Sequence, residues 1–306
     1  MKDSFDKPLI NNGEVDLVQL VKELWDNKIF IISLTSIFAV LSVLYSLSLQ
    51  NIYRSEALLA PAEAKSQSIS SSLGGLSSLA GMAGISLPGG NDAKQEEAIA
   101  ILNSYQFLEE FIIRHDLMVS IMAAKGWDKD TNNLIINEKL YDVKKNDWLD
   151  KRGKTLKPSI QETVRNFRMM VASKVDKKNG YLTVFADTYS PSMSQKWVEM
   201  LVEDLNKYIM VNDVIRAENS LKYLNSQISQ TQITELKQVM AQLIKTEQQT
   251  IMLSQSSPEY VFKVIDKPII PELKLKPKRA IICIVGTISG FIIVLAITIA
   301  KIFRRK

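Results

Sequence analysis

The chain has 306 residues, 46% of them hydrophobic, and a formal net charge of +5 built from 38 basic and 33 acidic residues. Opposite charges are interspersed with no basic stripe, which argues against a nucleic-acid-binding surface. A single cysteine, Cys283, and a single histidine, His115, exclude an internal disulfide and leave no ligand set for a zinc or haem site.

The segment up to about Lys28 contains VDLVQLVKELWDNK. Val15, Leu17, Val18, Val21, Leu24 and Trp25 recur at near-helical spacing, which predicts an amphipathic helix with Trp25 and Lys28 at the height of a membrane interface. From Ile29 to Leu49, IFIISLTSIFAVLSVLYSLSL carries no charge, over roughly the 20 residues needed to cross a hydrocarbon core. It begins too late and runs too long for a cleaved signal peptide, so a retained transmembrane helix is expected. NIYRSEALLAP then predicts a strand closed by Pro61.

Residues 71 to 90 read SSLGGLSSLAGMAGISLPGG. No Lys or Arg lies between Lys65 and Lys94, so this is not a phosphate-cradling loop. From Ala93 to about Met118, Ile99, Leu102, Phe107, Phe111 and Ile112 fall on one helical stripe. The region holding Trp127, Tyr141 and Trp148 gives no clear element. Residues 168 to 187 read as two β-rich runs joined by a turn at Asn179-Gly180.

Pro191 to Pro258 encloses no proline or glycine, and apolar residues recur at helical spacing. About 60 helical residues would reach roughly 90 Å, too long to bury in a small domain. One projecting helix, or two with a turn near Gln227 to Thr234, is expected to pack in a bundle or against other chains. YVFKVID predicts a strand returning to the sheet. Pro268, Pro271 and Pro277 then stiffen the approach to a second uncharged span, Ala280 to Ala300. Within it, Gly286 and Gly290 form the small-xxx-small spacing that lets membrane helices approach closely.

The basic tail, Lys301 to Lys306, places both ends of the chain in the cytoplasm. The basic KLKPKR stretch on the other side does not overturn this, because long loops translocate largely regardless of charge. The expected fold class is an α+β membrane protein, with two transmembrane helices flanking a periplasmic α/β base domain that carries a long extended helix. The segments are 1–28 cytoplasmic, 29–49 transmembrane, 50–279 periplasmic, 280–300 transmembrane and 301–306 cytoplasmic. The base draws on about 50–66, 93–190 and 258–267, and the long helical region on about 191–257. No catalytic, cofactor or metal site is expected. There is no G-x-S-x-G motif, His115 reads as a partly exposed helix residue, and Glu96/Glu97 and Glu109/Glu110 read as solvated faces.

Together VDLVQLVKELWDNK, YRSEALLAP, AIAILNSYQFLEEFI, LYDVKKNDWL, NGYLTVFADTYSPSMSQKWVEMLVEDLN and KPIIPELKLKPKRAIICIVGTISGFIIV resemble the Wzz polysaccharide co-polymerases, the chain length determinants of O-antigen and related surface polysaccharides. The resemblance runs through nearly the whole chain, and its most specific part is the proline-rich approach to a glycine-containing second span. It implies a homo-oligomeric ring in the bacterial inner membrane, without catalytic activity or cofactor. Such a ring sets the modal length of a growing lipid-linked polysaccharide made by a Wzy-type polymerase. With about six residues after the second span and no Walker motif, the kinase-less, lipopolysaccharide type is the nearer match. In that setting Gly74, Gly75, Leu76, Leu79, Gly81 and Gly84 suit a mobile membrane-proximal loop touching lipid, a neighbouring subunit or the polymerase, or else a plain linker. A two-span sensor, an export adaptor and a membrane-bound glycan enzyme are the rival readings. They lack, respectively, an output domain, lipoyl-like modules and an acid/base pair.

Overall fold

The computed structural model describes residues 10–11, 14–15, 17–62, 90–151, 154–256 and 258–304. The loop residues Gly74, Gly75, Leu76, Leu79, Gly81 and Gly84 lie outside these. The chain divides into two compact units, Met1–Asn51 with Leu275–Lys306, and Ile52–Lys274.

The first unit opens with a two-stranded ribbon of β1 (Ile10–Asn11) and β2 (Glu14–Val15). Then come α1 (Leu17–Asp26) and α2 (Lys28–Ser48). Asn27 joins the two helices, its backbone N–H and side-chain amide both donating to the Glu23 carbonyl at 3.2 and 2.8 Å.

The second unit starts at β3 (Tyr53–Pro61). The helical stripe predicted from Ala93 to Met118 is broken into α3 (Gly90–Leu102), α4 (Tyr105–Arg114) and the short α5 (Met118–Met122). The break has a local cause: Ser104 takes extended backbone (ψ 151°) and its hydroxyl accepts the Phe107 N–H, so it caps a new helix. Ile99 and Leu102 therefore reach the core from one helix, and Phe107, Phe111 and Ile112 from the next.

The region without a clear sequence signal folds as three short antiparallel ribbons. These pair β4 (Ala124–Trp127) with β5 (Leu134–Ile136), β6 (Tyr141–Asp142) with β7 (Asp147–Trp148), and β8 (Asp150–Lys151) with β9 (Lys154–Thr155). Asn132 and Asn146, at φ 54° and 53°, supply left-handed backbone in this region, which asparagine adopts more readily than most residues.

Helix α6 (Ile160–Met170) is capped by the Ser159 hydroxyl, which accepts from the Glu162 N–H at 3.1 Å. It takes up Arg168 to Met170, where the first β-run was expected. Strands β10 (Val171–Val175) and β11 (Leu182–Thr188) do form a hairpin. Asn179-Gly180 sits inside a longer turn, closed by hydrogen bonds between Asp176 and both Gly180 and Tyr181, with Gly180 at φ +71°.

The long helical region is two helices, α7 (Pro191–Gln230) and α8 (Thr234–Ser256). At 40 residues, α7 is about 60 Å long. Pro191 lies in its first turn and the Ser190 hydroxyl caps it. The chain leaves helical geometry at Thr231–Ile233, and α8 packs back along α7. The Tyr260 hydroxyl, just beyond α8, returns to donate to Asp213 Oδ2 at 2.9 Å. The broken form of this region, with its turn inside Gln227 to Thr234, is the one adopted.

Finally β12 (Phe262–Asp266) pairs with β3, completing an antiparallel sheet of order β10-β11-β3-β12. The chain ends in α9 (Arg279–Arg304) of the first unit. Alternation on β11 buries Leu182, Val184, Ala186 and Thr188 and leaves the residues between them half-exposed. The buried face meets α7, whose Trp197, Val198, Leu201 and Leu205 join Phe107, Phe111, Phe167 and Phe262 in one apolar core.

Candidate functional site

Helices α2 and α9 are both long and apolar enough to cross a membrane. They run antiparallel. The Ser42 hydroxyl donates to the Ile282 carbonyl at 3.0 Å, while at the other end the Lys301 ammonium lies 5.0 Å from the Phe30 ring centre. Gly286 faces Ser42 and Gly290 faces Phe38. A Cβ on Gly286 would fall 2.7 Å from Ser42 Cβ, and one on Gly290 would fall 2.7 Å from Phe38 Cγ. Neither helix could approach so closely with a larger residue at those positions. The outward faces are apolar and uncovered: Ile29 is 74% exposed, Ile32 63% and Ile292 59%. A soluble protein's core helix would be covered within its own chain, and this pair is not, which fits helices set in an apolar solvent.

The three strap prolines divide between the units. In the second, the Pro268 carbonyl accepts from Gln195 Nε2 at 3.2 Å and the neighbouring Ile269 carbonyl accepts from the Ser55 hydroxyl at 2.7 Å. Pro271 follows, half-buried. Pro277 belongs to the first unit, after a cis peptide bond from Lys276, and its carbonyl accepts the Arg279 N–H at 3.0 Å where α9 begins.

Periodicity marks neither of two buried polar residues that hold α7 in the second unit. Asn206, 4% exposed, accepts the N–H groups of Val261 and Phe262 on Oδ1, both at 2.9 Å, and donates from Nδ2 to the Phe262 carbonyl at 3.1 Å. One amide thereby satisfies three backbone groups at the start of β12. Asp204, 8% exposed, lies 2.9 Å from both Arg114 Nη1 and His115 Nε2. His115 is therefore more than a partly exposed helix residue. It closes α4, packs on Phe111 at 4.8 Å and ties that helix end to α7. On the sheet, Arg54 makes a bidentate pair with Asp187 at 2.6 and 2.8 Å, and that hydrogen bonding raises the Arg54 pKa. Such pairs join positions far apart in sequence, which periodicity cannot reveal.

Glu97 reaches Arg216 at 3.5 Å, while Glu109 and Glu110 meet Tyr105 and Gln106 one turn before them on α4. Among the described residues no three of His, Cys, Asp and Glu gather so as to hold a metal.

Residues 13–115 match the Wzz family, described as chain length determinant protein. The tyrosine-protein kinase etk of Escherichia coli K12 is 41% identical over 61 residues, 20% of this chain and 8% of the kinase, and its counterpart in E. coli O157:H7 matches equally. The chain thus spans about 8% of the length of these curated relatives. A solved full-length bacterial polysaccharide co-polymerase is 15% identical, over 95% of this chain and 98% of that one, at a TM-score of 0.42. A fragment of WzzB, the polysaccharide co-polymerase of Salmonella Typhimurium, is 11% identical over 74% of this chain and 100% of the fragment, at 0.30. Residues 13–115 of this chain are thus similar to the chain length determinant domain of the Wzz family.

Proposed function

We propose that this chain sets the modal length of a bacterial surface polysaccharide, of the lipopolysaccharide O-antigen type, without catalysing a chemical step. It acts as a ring-forming homo-oligomer of the inner membrane, alongside a Wzy-type polymerase and its growing lipid-linked glycan. Both ends of the chain lie in the cytoplasm and residues 50 to 279 in the periplasm. The match of residues 13–115 to the chain length determinant family carries this reading. Two uncovered apolar helices of membrane-crossing length support the inner-membrane placement. In this reading the Gly286/Gly290 seam fixes the membrane pair, Pro268, Pro271 and Pro277 fix how the chain enters it, and the 71–90 stretch contacts lipid or a partner.

The test is the lipopolysaccharide ladder of a deletion strain on a silver-stained gel. Modal clustering should disappear while polymer is still made, and the gene supplied in trans should restore it. Loss of all polymer would replace the regulator with an enzyme.

The match to tyrosine-protein kinases favours one second reading, in which the chain regulates an exopolysaccharide together with a kinase. An unchanged O-antigen ladder beside an altered length of another surface polymer would select it.

A further inference from the structure

The ribbon of β6 and β7 packs beside the end of α4 and the start of α5 around a cavity of about 290 Å³. Its walls include Tyr141, Trp148, Asn146, Asp147, Asp116 and Lys157. Tyr141, 6% exposed, donates its hydroxyl to Asn146 Oδ1 at 2.7 Å and meets Trp148 edge-on, with ring centres 5.2 Å apart at 75°. The Asp147 carboxylate accepts the Trp148 backbone N–H at 2.8 Å. The indole thus packs on Tyr141, the Trp148 backbone is tied by Asp147, and the residue remains half-buried on the cavity wall.

The other tryptophans of this unit are used differently. Trp197 is core, and the Trp127 indole N–H donates to Asn132. Trp148 meets no acceptor for its indole N–H among the described residues. A fixed aromatic ring with an open N–H, flanked by an amide, two carboxylates and an ammonium, offers two things at once. The ring presents an electron-rich face for the C–H-rich face of a pyranose. The polar groups present donors and acceptors at angles that hydroxyls can use. The volume approaches the lower end of small-molecule pockets, enough for a sugar ring or two. Two carboxylates against one ammonium disfavour a uronic acid.

We propose that this cavity binds a neutral pyranose unit of the polysaccharide, stacked on Trp148 and hydrogen-bonded by Asn146, Asp116 and Lys157. The proposal rests on the chain-length reading for its ligand class.

The test uses the full chain purified in detergent, with size-fractionated oligosaccharides from the host strain's surface polysaccharide as probe. Binding is read by saturation-transfer NMR. Trp148→Ala should weaken binding about tenfold or more, Trp148→Phe should keep most of it, and Lys157→Ala, at an exposed position, should weaken it about twofold. Thermal melts of each variant accompany the titrations, and if Trp148→Ala fails to fold, Trp148→Phe and Lys157→Ala decide. No transfer to the wild type at millimolar saccharide overturns the assignment. So does transfer undiminished in both Trp148→Ala and Lys157→Ala. The chain-length reading fails separately: an unchanged polymer ladder in the deletion strain removes that reading and leaves the binding result standing, while absent binding beside lost modal length removes only the cavity.

Discussion

The first half of α7 and the middle of α9 both lie tight against a neighbour, one with the largest side chains available and the other with none. Trp197, Leu201, Leu205 and Ile209 fill the space over the sheet, while Gly286 and Gly290 leave space for Ser42 and Phe38. The difference follows from the surroundings. In water a helix is held by removing large apolar surface from solvent. Between lipid-exposed helices that gain is absent, since lipid tails are as apolar as leucine, and backbones must approach closely to profit from dispersion. One chain therefore depends on bulk at one seam and on its absence at the other.

Truncation at the bulky seam should have the largest effect. Trp197→Ala removes a side chain 2% exposed and should destabilise the second unit by about 3–5 kcal/mol. Guanidinium denaturation followed by circular dichroism would show it, and a loss below 1 kcal/mol would mean that the core collapses freely around the gap. Asn206→Ala leaves three backbone groups at Val261 and Phe262 without their partner, at about 2–3 kcal/mol. Hydrogen exchange of the Val261 and Phe262 amides should quicken before that of β11.

Enlargement is the damaging change at the small seam. Gly286→Leu with Gly290→Leu should cost the helix pair about 1–2 kcal/mol, read as a lower melting temperature in mild detergent. On the proposed function, polymer should still be made in cells but with its modal length lost. Unchanged melting would mean that Phe38 and Ser42 yield, and would erase the contrast with Trp197.

The smallest effect lies in the loop after β4. The Thr131 hydroxyl, and then the Asp130 N–H, hold the Asp128 carboxyl below its ordinary range. A group whose pKa is lowered on folding stabilises the fold above its unfolded value and loses that contribution as pH falls through the folded one. The loop should therefore be indifferent to pH near neutrality and loosen only in acid, as a carbon-detected titration of Asp128 would show. Thr131→Ala should move that midpoint upward.

Much of this was legible in the sequence, for reasons that separate local from distant causes. An uncharged run of 21 residues, a glycine pair four apart and two β-rich runs on either side of Asn179-Gly180 each carry their meaning within a few positions. The break at Ser104 was hidden because a serine cap inside an apolar stripe does not disturb the stripe's period. The ribbons of β4 to β9 are too short to show alternation, and side-chain turns at Asp128, Asn137 and Asp142 shape them instead. Asn206, Asp204 and Trp148 were invisible as sites. The partners of the first two lie far off in the chain, 55 and 56 positions away for Asn206 and 89 and 90 for Asp204. Trp148 matters only because α4 and α5 close a space beside it.

An antiparallel helix hairpin has a length that can be changed on its own. The break at Thr231–Ile233 is the far end of α7 and α8, and the Tyr260–Asp213 bond marks where the return arm rejoins the outgoing one. Seven residues added to each arm, two turns of helix, would move the tip outward by about 10 Å and leave every contact of Asn206, Asp204 and Trp197 where it is. The same seven residues added to one arm alone would shift the two helices past each other by that distance and pull Tyr260 from Asp213. Span is thus a paired variable, altered by symmetric insertion at the tip and corrupted by asymmetric insertion anywhere along it.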